Sequence, residues 1–172
     1  MSDSELLSGR AVIRLTGEDR LTFLQGIITQ DMKRLDAEPA IFSALLTPQG
    51  KILFDFFMAK TADALLIDCD AETAPALLKR FALYKLRAKV GLEIDETLKV
   101  AASANELKDG VAFRDPRAPE LGWRAIVSDA GAAGDAYDRR RIAAGVPEFG
   151  SDFSSDEMFL LDVNYDALAA VS

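Results

Sequence analysis

The feature that most limits how this chain can fold is a pair of apolar runs joined by one turn signal. Ala40-Ile-Phe-Ser-Ala-Leu-Leu-Thr47 and Lys51-Ile-Leu-Phe-Asp-Phe-Phe-Met-Ala-Lys60 flank Pro48-Gln49-Gly50. Proline at the second and glycine at the fourth position of a turn beginning at Thr47 predict a hairpin. Alternation sends Phe54, Phe56 and Met58 to one face of the second strand and Leu53 and Phe57 to the other, so that strand belongs inside a sheet covered on both sides. Asp55 shares the Leu53 and Phe57 face. A carboxylate there is either near solvent at a sheet edge or buried with a raised pKa and a partner. Its place in a strand apolar on both sides leads us to expect it to face a cavity between two lobes.

Ahead of the hairpin, Ala11-Val-Ile-Arg-Leu15 reads as a strand. Leu21, Phe23, Leu24 and Ile28 then recur at helical spacing, with Glu18 and Asp19 in the first turn and Gly26 placed for a left-handed cap. Gln25, Thr29 and Asp31 either punctuate helix ends or line a pocket. After the hairpin come a strand over 64–69, a helix over 72–83 and a strand over 84–90. Alternation in that last strand directs Lys85, Arg87 and Lys89 to one face. Three cations so arranged are either an edge-protecting, solvated face or an anion site. Further strands are expected over 98–103 and 122–128, separated by a stretch, 113–119, that two prolines hold out of any sheet. A helix over 136–144 ends at Gly145, and 159–163 reads as a short strand or an apolar strap. Cys69 lies in an apolar run without a nearby cation and is expected to be a structural, buried residue.

Charge and residue counts remove several function classes. A net charge of −8 over 172 residues disfavours nucleic acid or an anionic membrane as main partner, though local basic patches are compatible with it. The chain has no histidine, which removes the commonest general base and metal ligand and every serine–histidine or cysteine–histidine nucleophile. A single cysteine excludes an internal disulfide and a full set of soft ligands for zinc or an iron–sulfur cluster. With no signal-peptide pattern at the start and no long apolar run, a cytoplasmic location is expected.

Several motifs stand in an order that has a family resemblance. Leu15-Thr-Gly, Phe23-Leu-Gln-Gly-Ile-Ile-Thr-Gln-Asp31, Leu46-Thr-Pro-Gln-Gly-Lys-Ile-Leu-Phe-Asp55, Tyr84-Lys-Leu-Arg-Ala-Lys-Val90, Asp115-Pro-Arg117, Gly122-Trp-Arg124 and Arg141-Ile-Ala-Ala-Gly-Val-Pro-Glu148 span most of the chain. Together they resemble the YgfZ/GcvT-type folate-binding proteins, in the branch related to the mitochondrial iron–sulfur cluster assembly factors. The resemblance implies an α+β fold of intertwined antiparallel-sheet domains with packed helices around a tetrahydrofolate cavity, the family's C-terminal barrel domain being absent. It divides the chain into a first lobe of 1–36 plus 98–172 and an inserted lobe of 37–97. It also implies a part in maturing iron–sulfur enzymes, with folate and iron–sulfur carrier or client proteins as partners.

By the same resemblance, Gln25, Thr29, Asp31, Asp55, Lys85, Arg87, Lys89, Arg117 and Arg124 are the candidate folate contacts. Asp55 would accept a hydrogen bond from the reduced ring. Lys85, Arg87 and Lys89 would hold the glutamyl tail, with Arg117 and Arg124, which flank the proline loop, as second-rank candidates. Three departures stand out. The family's Lys-Gly-Cys-Tyr-x-Gly-Gln-Glu motif is not in the chain; Phe54-Asp55 replaces the two adjacent aspartates of the glycine-cleavage aminomethyltransferases; and Ala143 replaces their glutamate. A folate-binding assembly factor acting through a carrier is therefore the leading expectation. A folate-dependent aminomethyltransferase resting on Asp55 and Gln49-Gly50-Lys51 is the alternative, and a structural fragment that binds nothing is a third.

Overall fold

The computed structural model describes residues 4–172. Its strands are β1 (Glu5–Leu6), β2 (Arg10–Thr16), β3 (Ala40–Leu46), β4 (Ile52–Lys60), β5 (Ala64–Asp70), β6 (Gly91–Ile94), β7 (Lys99–Ser103), β8 (Val111–Arg114) and β9 (Trp123–Val127). They form a four-stranded sheet ordered β1-β7-β9-β8 and a five-stranded sheet ordered β3-β4-β5-β2-β6, with antiparallel pairing throughout. Two α-helices, α1 (Ala74–Tyr84) and α2 (Ala136–Ala143), complete an α+β fold.

The hairpin is built as its residues dictate. Gly50 N–H donates to Thr47 O at 2.9 Å, and Gly50 has φ +91°, a conformation that costs glycine little. Alternation along β4 then divides the molecule into layers. Phe56 points to α1, where its ring meets Phe81 at 5.7 Å between centroids. Phe57 points the other way, to Phe113 of β8 at 6.2 Å. Asp55, Phe57 and, across the ladder, Asp68 of β5 thus share the face between the two sheets, whereas Cys69 shares the α1 face with Phe56. The main core lies between α1 and the five-stranded sheet, with Ile13, Leu15, Ile67, Leu77 and Phe81 all buried.

Two expected elements are replaced. Between Thr16 and Asp31 there is no regular helix but a run of turns, in which Thr22 N–H and Phe23 N–H both bond Asp19 O and Ile27 N–H bonds Leu24 O. Thr22, Ile27, Ile28 and Thr29 are β-branched and lose side-chain freedom in a helix, so spacing alone did not suffice. Gly26 takes no left-handed cap, since its φ is not positive. Asp31 does cap a turn: its carboxylate accepts Lys33 N–H at the head of the 3-10 helix Met32–Asp36.

The stretch 84–90 is not a strand. Helix α1 runs on to Tyr84, and the chain then reverses in a tight turn closed by Ala88 N–H to Lys85 O at 2.7 Å. The edge of β2 that such a strand would need is taken by β6, whose Gly91 to Ile94 pair with Thr16 to Ile13. The stretch 113–119 also begins in a sheet, because Phe113 and Arg114 pair with Arg124 and Trp123 before Pro116 ends the ladder. Strand β2, grouped with 98–172 in the expected lobe division, is hydrogen-bonded between β5 and β6. Residues 160–163 form a 3-10 helix rather than a strand.

Candidate functional site

The space between the sheets holds a buried network of charges organised around one ring. Phe57 lies under three guanidinium groups, with Arg124 at 4.2 Å, Arg117 at 4.7 Å and Arg10 at 5.8 Å from its centroid. Each cation has a buried anion. Asp68 accepts from Arg10 Nε at 2.7 Å and from Arg124 Nη2 at 2.7 Å, Asp115 accepts from Arg117 Nη2 at 2.8 Å, and Glu148 Oε2 accepts from Arg117 Nη1 at 3.2 Å. The Tyr137 hydroxyl accepts from Arg117 Nη2 at 2.6 Å and donates to Glu148 Oε2 at 2.9 Å. These groups come from β2, β4, β5, β9, α2 and the two connections around 115–117 and 148.

Three arginines and three acids balance, and Asp55 is a fourth acid. It is 4% exposed, and Tyr165 OH, delivered by the 3-10 turns of the tail, donates to its carboxylate. Burial pushes the Asp55 carboxyl up, Arg10 and the Tyr165 bond pull it back and Glu148 pushes it up again, leaving it at about 6. For Glu148 burial also acts upward, but Arg117, Arg10 and Arg124 outweigh it and hold the carboxyl at about 2. Two acids on one network are thus driven in opposite directions, as at sites tuned for function.

A cavity of about 440 Å³ opens onto this network. Arg10, Tyr137 and Glu148 form its floor, and Asp70, Glu72 and Asp138 stand on its walls. Gly150, at φ +88°, lets the 148–151 turn approach Asp70, where a Cβ would sit 2.6 Å from Oδ1. On the floor, Arg10 Nη1 and Glu148 Oε1 are 3.6 Å apart, an ion pair without a hydrogen bond. Oε1 and Nη1, on two residues that line the cavity, thus stand side by side as an acceptor and a donor with no hydrogen bond among the described residues, while Oε2 is already engaged. Among the described residues, no group of three or more His, Cys, Asp or Glu side chains is placed to hold a metal ion.

The nine candidate residues fall in four places. Asp55, Arg117 and Arg124 meet in the buried network, but none of them lines the cavity, Asp55 being covered by Tyr165. Gln25 and Asp31 line a separate hollow with Leu21, Met32 and Lys60. Thr29 ties the tail down, donating to Ala170 O and accepting from Ala44 N–H. Lys85, Arg87 and Lys89 are exposed beyond the end of α1, on the side of the five-stranded sheet that faces away from Asp55, with Lys89 Nζ 3.0 Å from Glu18. Arg10, Asp68, Tyr137, Glu148 and Tyr165 were not anticipated. Asp68 carries the same signal as Asp55, an acid inside an apolar strand, and the two could have been paired on that ground.

Cys69 is 1% exposed on the α1 face, and burial, ahead of the opposing pull of Arg10, pushes its thiol up to about 12. We expect no reaction with a thiol reagent in the folded protein at pH 8 and full reaction in urea. Labelling at equal rates in both states would show the strand pair opening locally.

The fold is α+β, of the type seen in the N-terminal part of glycine-cleavage aminomethyltransferases. The chain superimposes on aminomethyltransferase T of the glycine cleavage system from Bartonella henselae with a TM-score of 0.72 over 95% of its length and 57% of that chain, at 16% identity, a likeness of fold alone. Its homologues in sequence are IBA57 iron-sulfur cluster assembly factors. It is 30% identical to the mitochondrial human factor over 202 aligned residues, covering 96% of this chain and 57% of the relative. It is 29% identical to the Mycosarcoma maydis homologue, covering 94% of this chain and 48% of that protein. The chain thus spans about half the length of these relatives. No family model matches it. The expected cytoplasmic location is corrected by these relatives, which are mitochondrial by name; no helix among the described residues is long and apolar enough to cross a membrane.

Proposed function

We propose that this chain takes part in iron–sulfur cluster assembly as a folate-binding protein of the YgfZ type, with the cavity over Arg10 and Glu148 receiving the pterin. The assembly role is carried by the similarity to the IBA57 factors. The folate reading rests on one observation, the free acceptor of Glu148 beside the free donor of Arg10 at the cavity floor. The aminopyrimidinone edge of a pterin offers N–H donors next to a carbonyl acceptor, the complement of that pair. The cavity volume of about 440 Å³ lies in the range of small-molecule sites, roughly 300–1,000 Å³. Reduced folate would supply a one-carbon carrier. The protein's part is to accept from the pterin N–H groups at Glu148, to donate to its carbonyl at Arg10 and to hold both side chains in place through Tyr137 and Arg117.

Titration calorimetry with tetrahydrofolate tests this. Glu148→Gln should weaken binding by about 1.5–3 kcal/mol, the worth of a charge-assisted bond. Because that change also touches the network, a second variant, Ala71→Trp, fills the cavity from its wall and should abolish binding without loss of the fold. Undetectable binding by the unaltered protein, or equal binding by Ala71→Trp, would refute the folate assignment. Unchanged iron–sulfur enzyme activities in cells lacking the gene would refute the assembly role.

A further inference from the structure

The basic segment that ends α1 takes no part in the site above. Residues 82–87 are all exposed, and Leu86, at 90%, is the most exposed of the large apolar side chains among the described residues. Leu83 at 64% and Tyr84 at 40% stand beside it. Leu86 has φ +40°, a left-handed conformation disfavoured for a leucine. The tip is nevertheless held on both sides. Before it, Phe81 is packed on Phe56; after it, Asp19 accepts from Lys89 N–H and Val90 is buried. An apolar side chain is thus kept in water on a locally strained turn anchored at both ends, an arrangement that burial would favour.

The surrounding charge indicates what would bury it. Lys79 lies four residues before Leu83 and Arg80 four before Tyr84, so both share the helix face that leads to the tip. The side chains of Lys79, Arg80, Lys85 and Arg87 make no hydrogen bond or ion pair among the described residues, and of the basic side chains at this end of α1 only Lys89 is paired, with Glu18. Four uncompensated cations around three apolar side chains, in a protein of net charge −8, make a local surface opposite in sign to the whole. An anionic bilayer would meet the flank of the molecule and feel its other acids, whereas a protein partner of limited footprint meets the patch alone.

We propose that this turn is a docking surface for an acidic partner protein, which receives Leu86 in an apolar pocket rimmed by carboxylates. On the assembly reading above, on which this rests, that partner is an acidic iron–sulfur carrier. Leu86 is the anchor, Leu83 and Tyr84 complete the apolar contact, and the four cations set orientation and speed of encounter.

The test titrates the full chain with the purified acidic apo-carrier of the same organism at low and at physiological salt. The unaltered protein should bind, more weakly as salt rises. Leu86→Gly should weaken binding at least about tenfold without lowering the melting temperature, since glycine accepts a positive φ. Lys85→Glu combined with Arg87→Glu should weaken binding about tenfold or more and remove its salt dependence. Lys99→Glu, on β7 of the other sheet, should bind as the unaltered protein does. Carrier binding that neither Leu86→Gly nor the charge reversal weakens overturns the docking surface and leaves the assembly reading standing. No carrier binding by the unaltered protein overturns the docking surface, and the assembly reading is then decided separately by the iron–sulfur enzyme activities of cells lacking the gene. Binding to phosphatidylcholine vesicles with a minority of phosphatidylglycerol, in place of the carrier, overturns the protein partner in favour of a membrane.

Discussion

Replacing Asp68 with alanine is expected to destabilise the protein by about 3–5 kcal/mol, the usual cost of removing one partner from a buried ion pair. The carboxylate is fully buried and is shared between Arg10, through Oδ1, and Arg124, through Oδ2. Its loss strands two guanidinium groups between the sheets, where the alternative acceptors are already occupied: Glu148 lies 3.6 Å from Arg10, and Asp115 lies 3.7 Å from Arg124. Arginine cannot release its proton to escape the penalty. Because whole domains are stable by only about 5–15 kcal/mol, the alanine variant stands near unfolding. Asp68→Asn keeps an acceptor and loses the charge, and should fall between the two. Urea titration of all three proteins checks this. A loss below about 1 kcal/mol, within the range of an exposed pair, would mean that water reaches the network.

Stability should fall as pH rises from about 4 to 6, because of Asp55. Its carboxyl is raised to about 6 in the folded protein from an ordinary 3.8, so the unfolded chain releases the proton first. The contribution is therefore complete below about pH 4 and lost as pH passes through 6, a change of order 3 kcal/mol at 1.36 kcal/mol per unit. Asp55→Asn should abolish that decline and be more stable than the unaltered protein at pH 8. Tyr165→Phe removes a donor that favours the charged form and should move the window to higher pH. Glu148 acts with the opposite sign. Its carboxyl lies at about 2 against 4.5, so it stabilises above pH 4.5 and that stability is lost as pH falls through 2. Urea midpoints measured from pH 2 to 8 separate the two. A midpoint that is flat between pH 4 and 6 would show that Asp55 is ionised throughout and already has a full partner.

Elements whose signal is local were legible in the chain. Pro48-Gln49-Gly50 named the hairpin, Gly145 at φ +70° ended α2, and the apolar run 64–69 made β5. Alternation also took Asp55 away from solvent. The same rules misread 15–31 and 84–90. Apolar spacing in the first is satisfied by turns that bury Leu24 without a helix, and alternation in the second is the accidental pattern of a helix end followed by a reversal.

The composition of the site lay beyond any local pattern. Arg124 and its acid Asp68 stand 56 residues apart, and Arg10 and Glu148 come from opposite ends of the chain. Each is an ordinary charged residue until two sheets close over it. By itself the sequence determined which faces of β4 and β5 are apolar and that Asp55 stands on one of them, because side-chain alternation is a property of a single strand. Only the tertiary structure decided that Asp55 is the unbalanced fourth acid of a buried network, and that Lys85 and Arg87 stand on the far side of the sheet from it. Charge pairing depends on distance and burial, and both exist only once strands remote in sequence are packed together.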